Sequence, residues 1–178
     1  MQETFSKSLL PDMIAESRCR FREGVVDFIK AAKGHDIPLL IFSGGVYDII
    51  EIMLEQEGCL YDNITIIANK LKFDDDGIMI GCEPPFITAS NKLEVCRNHP
   101  YFSSTKRSNI LLLGDMISDL KMASCAEYSS LLTIGFCNTP ETYLNEYLEK
   151  FDLVLKGNPG FDGVNKLLAH IFENPNKM

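Results

Sequence analysis

No two of the six cysteines, Cys19, Cys59, Cys82, Cys96, Cys125 and Cys137, have C-x-x-C spacing. That absence argues against a zinc site. Most of these thiols sit beside apolar residues, where a free thiol behaves as a small hydrophobe. Buried, reduced thiols of a cytosolic protein are therefore expected. Excess positive charge is missing too: 17 basic residues face 25 acidic ones, for a net charge of −8. With no basic patch, a nucleic-acid partner is not expected. An anionic substrate would need local positive charge from a lysine, a metal ion or a helix N-terminus. No apolar run approaches a membrane span. The start, MQETFSKSLLPDMIAES, lacks the basic head and long apolar core of a signal peptide. The expectation is a cytoplasmic chain with no membrane partner.

Other absences narrow the chemistry. There is no G-x-S-x-G, so the nucleophile elbow of serine hydrolases is not available. The three histidines, His35, His99 and His170, have no metal-like partner spacing. The stretch FDDDG is too short for a calcium loop and lacks the distal glutamate. A hairpin turn is its better reading.

What is present is a globular composition, with 178 residues, 46% of them apolar and 24% charged. That is length for one domain with a sizeable core. Residues 8–19 have helical apolar spacing. FREGVVDFIKAAKGHD places Phe21, Val25, Phe28, Ile29 and Ala32 on one helical face, with Gly34 as a left-handed stop. IPLLIFS reads as a strand buried on both faces, and the next helix stops at Gly58. NITIIAN is a strand, and KLKFDDDGIMIG a β-hairpin around D-D-G. After an irregular stretch with Pro84 and Pro85, KLEVCRNHPYF reads as a short helix. Then come the strand NILLL, a helix near 117–126, the strand LLTIGF, a helix over 139–150, the strand DLVL and the helix GVNKLLAHIF. Strands alternating with helices imply an α/β fold with a parallel sheet. Such sheets bind ligands beyond the carboxyl ends of their strands, which selects Ser43-Gly44-Gly45, Asn69 and Gly114-Asp115.

In IFSGGVYD a strand ends as a helix begins. The Ser43 hydroxyl and the N–H groups at the helix start can point at one anion, preferably phosphate. The plainer reading is that Ser43 caps the helix and the glycines make a tight turn. In LLLGDMISD, Asp115 can offer a carboxylate to a hard cation such as Mg²⁺, which prefers few carboxylates plus water and phosphate oxygens. Asp119, about one helical turn on, can reach the same ion through water or hold a nearby lysine. Capping by Asp115, with Asp119 favouring the helix N-terminus, is compatible with both roles. Lys92, at the expected helix start in ASNKLEV, can neutralise a phosphate and a neighbouring carboxylate, although a single lysine is usually a solvated surface group.

Strand-Ser-Gly, then a lysine, then strand-Gly-Asp-x-x-x-Asp resembles the motif series of the haloacid-dehalogenase-like phosphatases. IAESRCRFREGVVDF, IPLLIFSGGVYDIIEIMLEQEG, NITIIANKLKFDDDGIMIG, FITASNK and NILLLGDMISDLKMA resemble the cytosolic 5'-nucleotidase III family. Its members are pyrimidine and 7-methylguanosine-phosphate-specific 5'-nucleotidases. The likeness runs from about Ile14 to the C-terminus. It implies Mg²⁺-dependent hydrolysis of a nucleoside 5'-monophosphate, of pyrimidine or 7-methylguanosine type, to nucleoside and phosphate. By that resemblance Ser43 and Gly44 bind the substrate phosphate, and Lys92 pairs with it and orients the nucleophile. Asp115 is a magnesium ligand and Asp119 supports the metal site. The residue matching Gly44 is often alanine in the family, which should matter little to a backbone contact.

The resemblance also implies what is missing. The family's nucleophile and general acid/base are two aspartates in D-x-D-x-T at the end of its central first strand. The D-x-D here, Asp74 to Asp76, lies inside the hairpin turn without a following threonine. The expected architecture is thus a Rossmannoid parallel sheet flanked by helices, with a hairpin insert and without the central first strand. Residues 1–20 are expected to be the end of a helical cap, and residues 21–178 the incomplete core. Loss of that strand should leave its two neighbours with unpaired edges or force them together. Without the two aspartates, neither a phosphoaspartate nor protonation of the leaving alkoxide is available. The competing expectation is a non-catalytic phosphate- or nucleotide-binding or regulatory module.

Overall fold

A computed structural model describes residues 5–138 and 143–174. They form two compact units, residues 5–87 with 160–174, and residues 88–138 with 143–159.

The first unit opens with a single 3-10 turn, Lys7–Leu9, that runs into α1 (Leu10–Glu16), which has Pro11 in its first turn. Proline suits that position because its missing N–H would have had no helical partner. Helix α2 (Val25–Gly34) buries Phe28, Ile29 and Ala32, with Phe21 and Val25 half-buried. The expected apolar face is therefore the one that packs. The stop differs from the expected one. Gly34 is the last helical residue, and the left-handed conformation falls on Asp36, at φ 51°.

Strand β1 (Leu39–Val46) pairs in parallel with β2 (Ile64–Asn69), with α3 (Tyr47–Gln56) between them in sequence. Gly58, at φ 61°, makes the turn after α3 as expected. Strands β3 (Leu71–Phe73) and β4 (Met79–Cys82) form the predicted antiparallel hairpin. Its turn is tied by the Asp74 carboxylate, which accepts from the N–H groups of Asp76 and Ile78. This local bonding gives Asp74 a turn-forming role. Helix α7 (Asp162–Glu173) completes the unit, burying Val164 and Leu168. Phe161 meets Phe28 edge-on at 5.4 Å, and Asn165 donates to the Gly24 carbonyl.

In the second unit, α4 (Lys92–Asn98) and α5 (Pro100–Ser104) precede β5 (Asn109–Gly114). The expected helix after β5 is wound as a 3-10 helix, Ile117–Cys125. Strands β5, β6 (Ser130–Cys137) and β7 (Leu153–Lys156) form one parallel sheet in that order. Helix α6 (Leu144–Lys150) lies between the last two strands in sequence; its expected start at Thr139 falls outside the described residues. The core gathers Leu112, Ala123, Cys137, Tyr147 and Phe151. Asp152 accepts from both the N–H and the hydroxyl of buried Thr133, which in turn accepts from the Asp152 N–H. This closed set leaves little polar cost to the burial.

Among the described strands, β1 has β2 as its ladder partner and β5 has β6. Each of these two strands therefore has one edge outside any ladder among the described residues. Among the described residues no disulfide forms; Cys59, Cys96 and Cys137 are buried, Cys82 and Cys125 half-buried, and Cys19 exposed. No described helix is long and apolar enough to cross a membrane.

Candidate active site

In the first unit, Ser43, Gly44 and Gly45 fall in the irregular stretch of β1 between its paired residues Phe42 and Val46. Ser43 is half-buried, and both glycines are exposed. The Ser43 Oγ accepts from the Gly45 N–H at 3.0 Å, so the hydroxyl folds onto its own loop. It does not cap the helix: α3 starts from Val46, which makes no side-chain cap bond. A Cβ built on Gly44 would lie 3.5 Å from the Ile87 carbonyl oxygen, an ordinary contact. The loop therefore tolerates the alanine that the resemblance allows at this position.

Asn69, the third strand-end position, lies on β2. Its Nδ2 donates to the carbonyls of Gly44 and Ile87, at 2.8 and 2.9 Å. Its Oδ1 accepts from the Ile87 N–H at 2.7 Å. The sequence points to this position only as a strand end, because its partners are backbone groups of distant residues.

In the second unit, Lys92 opens α4 and its ammonium donates to Asp119 Oδ1 at 2.8 Å. Both side chains are largely enclosed, with exposures of 12% for Lys92 and 7% for Asp119. At this depth the pair is screened far less than a surface one. Asp119 Oδ2 accepts from the Met116 N–H at 3.1 Å, reaching back to the start of its own helix. Of the two roles open to Asp119 in the sequence, holding a lysine is the one observed. Met116, rather than Asp115, occupies the cap position.

Gly114 is required by Asp119. A Cβ there would sit 2.8 Å from Asp119 Cβ and 3.0 Å from Oδ2. Asp115 follows, exposed, at the carboxyl end of β5. Its carbonyl accepts from the Tyr147 hydroxyl at 2.5 Å, so α6 braces the loop through the main chain. Burial raises the Tyr147 phenol above its ordinary value of 10.0, and Cys137 and Asp115 add to the shift. A bond to a backbone acceptor carries no residue signature, so Tyr147 was not legible beforehand.

The donor set near Asp115 fits one hard carboxylate toward a magnesium ion, an ion that keeps several waters. Asp119 has both oxygens engaged by protein groups, which suits orientation better than direct ligation. Among the described residues no three His, Cys, Asp or Glu side chains converge as a metal cluster. Lys92, Asp115 and Asp119 are thus gathered within one unit, while Ser43, Gly44 and Asn69 belong to the other.

Comparison with known proteins identifies the family. The chain is 36% identical over 174 residues to the mouse 7-methylguanosine phosphate-specific 5'-nucleotidase, covering 96% of this chain and 58% of that protein. The human protein of the same name is 35% identical over the same span, with the same coverage of each chain. The chain therefore spans somewhat over half the length of these relatives. Among solved structures, cytosolic 5'-nucleotidase IIIB bound to cytidine matches with a TM-score of 0.84 at 28% identity, over 96% of this chain and 59% of that one. A probable phosphoserine phosphatase from Vibrio cholerae shares the fold alone, with a TM-score of 0.67 at 15% identity, over 99% of this chain and 50% of that one. Residues 1–172 match the family described as pyrimidine 5'-nucleotidase (UMPH-1), and the chain belongs to that family, with a haloacid-dehalogenase-like α/β fold.

Proposed function

We propose that this chain carries the phosphate- and metal-binding portion of a magnesium-dependent 5'-nucleotidase acting on a pyrimidine or 7-methylguanosine 5'-monophosphate. The observation that carries the reading is the enclosed Lys92–Asp119 pair beside Gly114-Asp115. A lysine at 12% exposure is not a solvated surface group. Burying such a charge is costly unless it is paired and hydrogen-bonded.

In this reading Ser43 and Gly44 offer hydrogen-bond donors to phosphoryl oxygens. Lys92, held by Asp119, contributes positive charge toward the phosphate. Asp115 is the carboxylate ligand to Mg²⁺, and Asp119 supports the metal site by fixing Lys92. A bound magnesium ion would neutralise charge that develops on the phosphoryl oxygens. Residues 1–20 are the returning end of a cap, and the setting is cytosolic, as in the name of the structural relative.

The 178 residues hold no D-x-D-x-T, so we expect this chain by itself to bind rather than turn over. That absence also supports the second reading, a non-catalytic nucleotide- or phosphate-binding module. The deciding experiment is phosphate release from CMP, UMP and 7-methyl-GMP with Mg²⁺. It compares the chain as it stands, its Asp115→Asn variant, and a version preceded by a strand bearing D-x-D-x-T. Silence in the first and activity in the last supports the nucleotidase reading. Turnover by the short chain that Asp115→Asn abolishes overturns the assignment of chemistry to the missing aspartates. Silence in both the short and the extended chain, with nucleotide still bound, favours the binding module.

A further inference from the structure

We propose that Asn69 is a positioning residue, which aims the Ser43 hydroxyl of the phosphate loop by locking one peptide plane. The inference rests on the reading of Ser43-Gly44 as a phosphate-binding loop, and it concerns the first unit alone.

The Gly44–Gly45 peptide is held at both ends. Its carbonyl accepts from Asn69 Nδ2 at 2.8 Å, and its N–H donates to Ser43 Oγ at 3.0 Å. A peptide group is planar, so two anchors on opposite sides fix its rotation. The Asn69 amide is itself oriented without ambiguity. Its nitrogen faces the Gly44 and Ile87 carbonyl oxygens, and its oxygen faces the Ile87 N–H. Turning the amide over would set an oxygen against two oxygens and a nitrogen against an N–H.

The consequence lies at Ser43. A hydroxyl has one proton and two lone pairs. Since Oγ accepts from the Gly45 N–H, its own proton must be directed away from that amide. The chain of orientation runs from the Asn69 amide to the Gly44 carbonyl, then to the Gly45 N–H, and ends at the Ser43 O–H. Without Asn69 the peptide can rotate, the Gly45 N–H leaves Oγ, and the hydroxyl can turn onto any nearby carbonyl.

A second asparagine supplies the control. Asn63 lies at the opposite end of the same strand pair, where its Nδ2 donates to the Ile37 carbonyl at 2.8 Å. It joins the start of β2 to the segment leading into β1, far along the strands from the loop. Asn63 should therefore matter to stability but not to anion binding.

The test titrates the chain with inorganic phosphate by calorimetry, in parallel with thermal melting and the amide resonance of Gly45. The variants are Asn69→Asp, Asn69→Ala, Asn63→Ala and Ser43→Ala. Asn69→Asp keeps the acceptor for the Ile87 N–H but loses the donor to Gly44. We expect it to weaken phosphate binding roughly tenfold, about the worth of one oriented hydrogen bond, and to shift the Gly45 amide. Asn69→Ala should do the same, while Asn63→Ala lowers the melting temperature and leaves phosphate affinity and the Gly45 amide unchanged. Wild-type phosphate affinity in both Asn69 variants overturns the inference. So does an equal loss in Asn63→Ala, because the effect would then be general destabilisation. If the unsubstituted chain binds no phosphate, or Ser43→Ala binds it as well as wild type, the phosphate-loop reading falls and the inference with it.

Discussion

The two units place a glycine near the carboxyl end of a strand in opposite circumstances. A Cβ built on Gly44 makes only an ordinary contact, 3.5 Å from a backbone oxygen. Gly114 lies under Asp119, with a built Cβ 2.8 Å from that side chain. The first loop has exposed glycines and is shaped by the Ser43 and Asn69 side chains bonding to its backbone. The second is enclosed and shaped by a charged pair. Glycine thus serves access in one unit and close packing in the other, and the same substitution should have different consequences in each.

The largest effect is expected from Asp119→Ala. It strips an enclosed ammonium of its carboxylate, and removal of one partner from a buried pair costs about 3–5 kcal/mol. Denaturant melts of the purified chain check this, and a loss below that of an ordinary surface change would mean the pair is not buried in solution. Gly114→Ala comes next. Its methyl has to displace Asp119, and overpacking of this kind costs about 1–3 kcal/mol. A magnesium titration of the variant should also show weaker binding, because Asp119 and its loop must move.

Tyr147→Phe is expected to cost about 1 kcal/mol, the usual net worth of one hydrogen bond, since the Asp115 carbonyl loses its donor. The tyrosines extend the comparison to pH. Burial raises Tyr147 in the second unit. Burial, then the hydrogen bond to Glu51, raises Tyr47 in the first to about 12. A raised folded-state value means that stability is complete below the unfolded value near 10.0 and is lost as pH climbs through the folded one. Ultraviolet titration of the phenols should find both ionising late, and Tyr147→Phe should remove part of the alkaline loss. The smallest effect is expected from Gly44→Ala, within about 0.5 kcal/mol, with phosphate affinity retained. A large loss there would erase the contrast between the two loops.

Most elements were legible because apolar runs and helical spacing are local signals. IPLLIFS, NITIIAN and NILLL all form the strands their runs suggested. The stop after α2 was misplaced. Gly34 could adopt a left-handed conformation, but nothing in the sequence obliges the helix to end there, and Asp36 takes it instead. The winding of residues 117–125 could not be read, because i+3 and i+4 bonding share nearly the same apolar pattern over two turns. At the site, the order Ser43, Lys92, Asp115, Asp119 was visible as a motif series. The partnership of Lys92 with Asp119 spans 27 positions and was visible only as one option. Asn69 and Tyr147 act on backbone carbonyls, which every residue carries alike, so their targets had no signature to find.

The division of labour within Asp119 has an evolutionary consequence. Oδ1 serves Lys92 and Oδ2 serves the first amide of its own helix. The two tasks are therefore inherited together. Asparagine could keep the amide bond but would surrender the charge, and glutamate would carry its oxygens beyond the Met116 N–H. Few single-step replacements at this codon preserve both tasks, so a lineage that relaxes selection on substrate binding would still be held to aspartate by folding.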